Sequence, residues 1–293
     1  MAQRLEGKQV AEAITQRVRE KSEALRKRGV VPTLAIVRAG ENPSDLSYER
    51  GAMKRAEKAG IEVKRFLFEE TVSQETLLAE IDKINRDDGI HGALIFRPLP
   101  QQIDDGAVRA ALLPRKDVDG ITEGSLAGIF TGSGNGFAPC TARACMEILD
   151  HYKIQLRGKR VAVLGRSLVI GKPVSMMALA KNATVTICHS RTGDEAMRNI
   201  CRESDILIAA AGQAGMVDEG YVREGQVILD VGINVDEEGR LCGDVDFERA
   251  GAAGYITPVP GGIGAVTTAV LMQQTAEAAE MARTAKAAAG LVE

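Results

Sequence analysis

Short runs of aliphatic and β-branched residues alternate with longer amphipathic stretches along this chain, and that alternation limits the fold more than any other feature. Residues 8–28 place Val10, Ala13, Ile14, Val18 and Leu25 at helical spacing, and Arg28-Gly29 supplies a basic last turn and a stop. Thr33 to Val37 then reads as a strand, Ser44 to Ala59 as a helix closed by Gly60, and Val63 to Phe68 as a strand. Ser73 to Asn85, opening Ser-Gln-Glu-Thr, is predicted helical, and Ala93 to Phe96 is a short buried strand. A hairpin joins its strands through a few residues, and no connection here is that short. The strands are therefore expected to pair in parallel through helical crossovers.

Gly124 to Gly136, with Gly128, Gly132 and Gly134 between, reads as a loop or hinge before a helix around Thr141 to Tyr152. Beyond it the alternation restarts with Arg160 to Leu164, Thr184 to Cys188, Ile206 to Ala209 and Val227 to Val231, helical segments lying between most of them. A final alanine-rich helix is predicted over about Ala265 to Arg283, either as a surface cover or as a return to the first domain. With 293 residues the chain is long enough for two cores. The expected class is α/β with two doubly wound domains: an N-terminal catalytic α/β domain over 1–140, completed by 266–293, and a Rossmann-type domain over 141–265.

Composition narrows the partners. A net charge of −3 offers no basic field for a phosphate backbone, so no nucleic acid is expected and a small-molecule ligand is favoured. Five cysteines make an odd set with no C-x-x-C pair, and no histidine stands at ligand spacing, so neither a disulfide framework nor a zinc site is expected. Asp117 and Asp119 lie as in a calcium loop, but the third acidic ligand and the loop length are lacking, and no metal is expected. No apolar run approaches the length of a membrane span, and the opening Met-Ala-Gln-Arg-Leu-Glu leads straight into charged amphipathic sequence. The reading is a cytoplasmic protein with no membrane partner.

The segment Arg160-Val-Ala-Val-Leu-Gly165-Arg-Ser-Leu-Val-Ile-Gly171-Lys-Pro173 delivers a buried strand into a glycine turn, with Pro173 expected at the first helical position. Gly165 permits a tight turn and Gly171 a close backbone approach, while free amides and the positive end of a helix dipole suit a pyrophosphate. The G-x-G-x-x-G spacing is absent, so a plain strand-to-helix turn is the competing reading. An enzyme that uses NAD usually carries an acidic residue at the end of the next strand. Here stand Cys188-His189-Ser190-Arg191. Ser190, Arg191 and Arg166 are suited to a 2′-phosphate, which favours NADP, although Arg191 is equally readable as a solvated surface charge.

Four motifs together, Gly165 to Pro173, Lys116-Asp-Val-Asp-Gly120, Asp230-Val-Gly-Ile-Asn234 and Pro258-Val-Pro-Gly-Gly262, resemble in order and spacing the methylenetetrahydrofolate dehydrogenase/cyclohydrolase (FolD) family. The resemblance covers nearly the whole chain. It implies a homodimer with a folate cleft between a catalytic domain and a Rossmann domain. It also implies NADP-dependent oxidation of 5,10-methylenetetrahydrofolate and hydrolysis of the methenyl product. Carried over residue by residue, it gives Gly165, Arg166, Ser167, Ser190 and Ile233 to the cofactor. Tyr48, Asp119 and the loop containing Pro258, Pro260, Gly261 and Gly262 go to tetrahydrofolate derivatives, with Tyr48 and Asp119 as the catalytic pair. Tyr48 offers a flat face to an aromatic ring and Asp119 an acceptor to an amino-pyrimidinone edge. Tyr48 also reads as simple helix packing, and Asp117 or Asp119 as a turn cap.

The chain departs from the family at two positions. The family carries a lysine four residues after the tyrosine, where this sequence has Ala52, and a glutamine before Pro-Leu-Pro, where it has Phe96 followed by Arg97. Lys54 lies six residues from Tyr48, roughly 240° around a helix, and is expected to face elsewhere. The expectation is a dehydrogenase with weak or lost cyclohydrolase activity. The alternatives are a bifunctional enzyme in which Lys54 or Arg97 substitutes for the lysine, and a non-catalytic paralogue that binds NADP or folate. Ala265-Val266 and Gln274 are smaller departures near the folate loop and in the last helix.

Overall fold

A computed structural model describes residues 2–236, 238–288 and 290. Positions 1, 289 and 291–293, which belong to the anticipated catalytic span, lie outside the described residues. The chain begins with β1 (Gln3–Arg4), α1 (Gly7–Arg26), β2 (Thr33–Ala39), α2 (Pro43–Ala59), β3 (Glu62–Phe68), α3 (Gln74–Arg86) and β4 (Gly92–Ile95). It continues with α4 (Asp105–Ala111), a 3₁₀ turn (Pro114–Lys116), α5 (Glu123–Thr131), α6 (Cys140–His151), β5 (Arg160–Leu164), α7 (Gly171–Ala180), β6 (Thr184–Cys188) and α8 (Asp194–Glu203). The last elements are β7 (Ile206–Ala209), β8 (Val227–Asp230), β9 (Asn234–Val235), β10 (Leu241–Cys242), β11 (Tyr255–Ile256) and α9 (Ile263–Ala288). Two compact units result: Glu12–Cys140 with Thr268–Glu293, and Met1–Ala11 with Thr141–Thr267.

The first unit is built on a parallel sheet of order β3-β2-β4. Central strand β2 has six of its seven residues buried, as a strand covered on both faces requires. Helix α2 starts at Asn42, whose side chain accepts from the Ser44 amide, with Pro43 at the first position, and it ends at Gly60 in the left-handed conformation. Glu49, Ala52, Ala56 and Ala59 form its buried stripe. One of these is charged. Glu49 is held by Arg38 of β2 at 2.8 Å, the two side chains being 5% and 7% exposed, and by Arg65 of β3 at 3.4 Å. The Arg38 guanidinium also donates to the Gly40 carbonyl, so α2 is fixed against the sheet by a satisfied ion pair. Apolar packing of α3 through Leu77, Ile81 and Ile84 against Ala35, Val37, Ala93 and Ile95 fills the core.

The second unit carries a six-stranded sheet of order β1-β11-β8-β7-β5-β6, all pairs parallel. Both units are thus doubly wound α/β structures, as the alternation predicted, and the predicted strands and the helices α1, α2, α3 and α6 fall within a few residues of their expected limits. Among the described residues no helix is long and apolar enough to cross a membrane.

Two expectations need correction. The glycine-rich stretch read as a loop or hinge contains the nine-residue helix α5, capped by the Thr122 hydroxyl, which accepts from the Ser125 amide. Its glycines serve proximity: a Cβ on Gly128 would lie 1.9 Å from the Asn135 carbonyl oxygen, so the helix and the returning chain touch through backbone. Pro173 is the third residue of α7, because the turn tightens and the helix begins at Gly171. The final helix runs from Ile263, within a few residues of its expected start, and of the two readings left open for it the second part groups with the first unit, where the Gln274 amide reaches the carbonyls of Val118 and Ala138.

Removing Glu49 leaves the Arg38 guanidinium buried beside an empty place. Glu49→Ala is expected to lower the unfolding free energy of the first unit by about 3 kcal/mol, read from urea melts; a change within the ordinary range of surface substitutions refutes the anchoring role.

Candidate functional site

The motif Lys116 to Gly120 shows how a short segment sets one acidic side chain apart from the rest. The Lys116 ammonium is buried and donates to the carbonyls of Ile84 at 2.6 Å and Asp87 at 2.5 Å, closing the last turn of α3. Burial, helped by the neighbouring charge of Arg115, lowers its pKa to about 8. Asp117 is fully buried and accepts from the amides of Ile121 and Thr122 and from the Ser125 hydroxyl, at 2.9, 2.8 and 2.6 Å. Val118 points into the core against Gly92, where a Cβ would come within 2.7 Å of its methyls. Gly120 has φ +68°, and an added Cβ there would meet the Pro139 nitrogen at 2.3 Å.

Asp119 is left as the acidic group of the motif that the fold does not consume. It is half-buried. Burial raises its carboxyl pKa to about 6, opposed by a hydrogen bond with the Cys140 thiol and by the charge of Arg97, and reinforced by Asp117. Burial and the Asp119 charge in turn push the Cys140 thiol well above its ordinary range. Cys140 was not singled out by sequence reasoning, since it is 21 residues from Asp119 and no spacing rule links the two. Gln274 emerged only as a departure; its carboxamide nitrogen donates to Val118, next to Asp119, and to Ala138, and its oxygen is buried without a hydrogen-bond partner.

Tyr48 is half-buried on α2, and its ring meets that of Phe96 edge-on, 5.8 Å between centroids and 84° between planes. Phe96 and Arg97 follow β4, and Ala52 lies one turn beyond Tyr48, fully buried. Lys54 is exposed, as its angular offset predicted. Arg97 faces Asp105 at 3.5 Å. The side chains that α2 and β4 bring together here are therefore aromatic and aliphatic at positions 48 and 96, with the alanine at 52 buried beneath them.

In the second unit, Gly165 has φ +117°, and a Cβ there would stand 2.2 Å from the Ala210 carbonyl oxygen. A Cβ on Gly171 would stand 2.2 Å from the Gly165 carbonyl oxygen, so the turn and the start of α7 are pressed together. The amide of Ile170 donates to the Ser167 hydroxyl at 3.1 Å, and no side chain caps α7, which leaves its positive end available to an anion. Arg166 and Ser167 are exposed on this turn. After β6, the Thr192 hydroxyl accepts from the His189 amide and the His189 ring from the Arg191 amide, a compact turn that leaves Ser190 and Arg191 exposed. Ile233, after β8, is 71% exposed. A cradle that a Cβ would fill, an uncapped helix and no acidic side chain after β6 fit a phosphorylated dinucleotide.

Pro258 to Gly262 leaves β11 in the same unit, with a cis bond between Val259 and Pro260 and φ +105° at Gly261. Gly7 closes on it: its amide donates to the Gly261 carbonyl at 2.8 Å, and a Cβ on Gly7 would lie 2.0 Å from the Gly262 carbonyl oxygen. Two further carboxylates, Asp230 and Asp244, are buried under the loops of this unit and were given no role from sequence. Burial raises the Asp230 pKa to about 7 against three backbone donors.

Residues 5–119 match the family described as tetrahydrofolate dehydrogenase/cyclohydrolase, catalytic domain, and residues 139–283 match its NAD(P)-binding domain. The bifunctional protein FolD of Carboxydothermus hydrogenoformans is 48% identical over 284 residues, spanning 96% of this chain and 98% of its own. Among solved structures, the bifunctional FolD of Campylobacter jejuni superposes with a TM-score of 0.92 at 36% identity, covering 96% of this chain and 99% of that one. The methylenetetrahydrofolate dehydrogenase-cyclohydrolase of Trypanosoma brucei, solved with NADP and an inhibitor, gives 0.89 at 34%, covering 97% and 99%.

The raised pKa of Asp119 keeps its carboxyl protonated below about pH 6 and charged above it. Carboxyl-carbon NMR is expected to show one aspartate titrating near 6 that disappears in Asp119→Asn; titration of that signal near 4 refutes the burial argument.

Proposed function

The chain belongs to the tetrahydrofolate dehydrogenase/cyclohydrolase family, and we propose that it is an NADP-dependent 5,10-methylenetetrahydrofolate dehydrogenase whose cyclohydrolase activity is weak or lost. In this reading it works as a cytoplasmic homodimer, the first unit holding the folate and the second the nucleotide. The observation that carries the hydrolytic half is the surface around Tyr48. In this reading Ala52 takes the position of the family lysine and Phe96 that of the family glutamine; Ala52 is buried one helical turn beyond Tyr48, and Phe96 meets the Tyr48 ring. Hydrolysis needs a group to activate water and handle its proton. General acid-base assistance contributes roughly 10²–10⁴ in rate, and an alanine and a phenylalanine supply none of it.

Oxidation asks less of the protein. The lone pairs of the folate nitrogens expel hydride from the methylene carbon, and the product is a stabilised cation, so orientation carries most of the acceleration. Bound NADP supplies the hydride acceptor. Residues Gly165, Arg166, Ser167 and Gly171 are assigned to its pyrophosphate, Ser190 and Arg191 to its 2′-phosphate, and Ile233 to apolar contact. Tyr48 stacks on a folate ring and Asp119 accepts from its amino-pyrimidinone edge, while the assignment of Pro258, Pro260, Gly261 and Gly262 to the folate rests on the family resemblance alone. Asp119 must be charged to accept fully, and its raised pKa sets where that happens.

Separate assays of the two reactions test the proposal. Oxidation is expected to proceed with NADP and far more slowly with NAD, and methenyl hydrolysis to run roughly 10²-fold or more below the family's usual balance of the two activities. Introducing Ala52→Lys with Phe96→Gln should raise hydrolysis while oxidation persists. Hydrolysis at parity with oxidation in the unaltered protein sinks the monofunctional reading. As pH falls through about 6, KM for the folate should rise with little change in KM for NADP, and Asp119→Asn should remove that dependence.

A further inference from the structure

We propose that Asp244 is a positioning residue for the nicotinamide half of the cofactor, acting through the backbone of Ala211 to Gln213. This inference rests on the nucleotide reading above and goes beyond it, since Asp244 lies outside every motif that carried that reading.

Strand β5 stands between β6 and β7 in the sheet, and the chain leaves it first toward β6 and then returns to β7 on the other side. Ligands of open parallel sheets bind where such a reversal parts two adjacent loops, at the carboxyl ends of the strands. The loop after β5 is the Gly165 turn, and the loop after β7 begins at Ala210, whose carbonyl oxygen lies where a Gly165 Cβ would point. The Ala210 amide also donates to the Leu164 carbonyl at 2.8 Å. With the pyrophosphate on the Gly165 turn and the adenosine phosphate on the β6 side, the nicotinamide half falls on the β7 side.

The wall on that side is Ala211-Gly212-Gln213, and its backbone is not held by strand pairing. Instead, the amides of Ala211 and Gly212 donate to Asp244 Oδ2 at 2.6 and 3.0 Å, and that of Gln213 to Oδ1 at 2.8 Å. Asn234 Nδ2 donates to the same Oδ1 at 2.9 Å. Four donors converge on a carboxylate that is wholly buried. A second buried carboxylate sets Asp244 in place: Asp230 Oδ1 accepts from the Asp244 and Gly232 amides and Oδ2 from the Val245 amide, each at 3.0 Å. No side chain could be added between them, since a Cβ on Gly232 would lie 2.4 Å from Asp244 Oδ1 and one on Gly243 would lie 1.8 Å from Asp230 Oδ2.

Asp244 therefore ties the 211–213 wall to the segment bearing Ile233 and Asn234, and both elements flank the same half of the ligand. A carboxylate receiving several backbone amides is a stiff connection, because each bond is charge-assisted and the accepting carboxylate is itself shut off from solvent. The positioning role predicts a local defect in cofactor binding, whereas a purely scaffolding role predicts loss of folded protein and no more.

Calorimetric titration of the full-length protein with NADP and with 2′,5′-ADP, which carries the adenosine phosphates and lacks the nicotinamide, separates these cases. Asp244→Asn is expected to weaken NADP binding on the order of tenfold, as loss of a charge-assisted contact does, and Asn234→Ala, which removes one donor at a partly exposed position, severalfold. Both should bind 2′,5′-ADP like the unaltered protein, and KM for the folate should stay unchanged. If Asp244→Asn does not fold, Asn234→Ala alone decides. Equal weakening of both ligands, or unchanged NADP affinity in a folded variant, overturns the proposal. Absence of NADP binding by the unaltered protein overturns the nucleotide reading itself, and this inference with it.

Discussion

Both units depend on one constraint: a parallel strand is buried on both faces, so its chemistry is confined to the loop that leaves its carboxyl end. Tyr48 follows β2, Phe96 and Arg97 follow β4, and the cofactor turn at Gly165 follows β5. Ser190 and Arg191 follow β6, Ile233 follows β8, and Pro258 to Gly262 follow β11. Every side chain given a role in substrate or cofactor binding thus stands on a loop or on the helix it opens into. Asp119 obeys the same logic one element later, after the 3₁₀ turn that closes α3.

Loops so placed need internal anchors, and here the anchors are buried charges supplied with backbone partners. Asp117, Asp230 and Asp244 each accept at least two backbone amides, and the Lys116 ammonium meets two backbone carbonyls. A buried ion left unpaired would cost several kcal/mol, so each of these loops has one conformation in which its charge is satisfied and few others of similar energy. Rigidity at the site follows from that penalty. Asp119 differs from Asp117 in having no backbone amide on its carboxylate among the described residues, and burial raises its pKa as burial also raises that of Asp230.

Glycine does complementary work where backbone meets backbone. Gly165 against Ala210, Gly171 against Gly165, Gly7 against Gly262 and Gly128 against Asn135 all leave less room than a methyl group needs. The glycine-rich stretch around α5 was open to misreading for this reason: glycine content signals either freedom or crowding, and only the neighbour tells which.

Element type and order were legible in the sequence because apolar periodicity and cap residues act within a few residues of each other. The strands β2 to β8, the helices α1 to α3 and α6 to α8, and the glycine turn of the cofactor loop were all predictable on that basis. Tertiary structure alone decided which of several aspartates the fold supplies with backbone donors. Asp117 and Asp119 look alike in sequence, and they differ because the donors that satisfy Asp117 and the burial that raises Asp119 come from how α5, α6 and α9 fold around that loop. Asp244 was invisible for the same reason: its partners lie some thirty residues before it, and a hydrogen bond depends on distance in space, which spacing along a chain does not record.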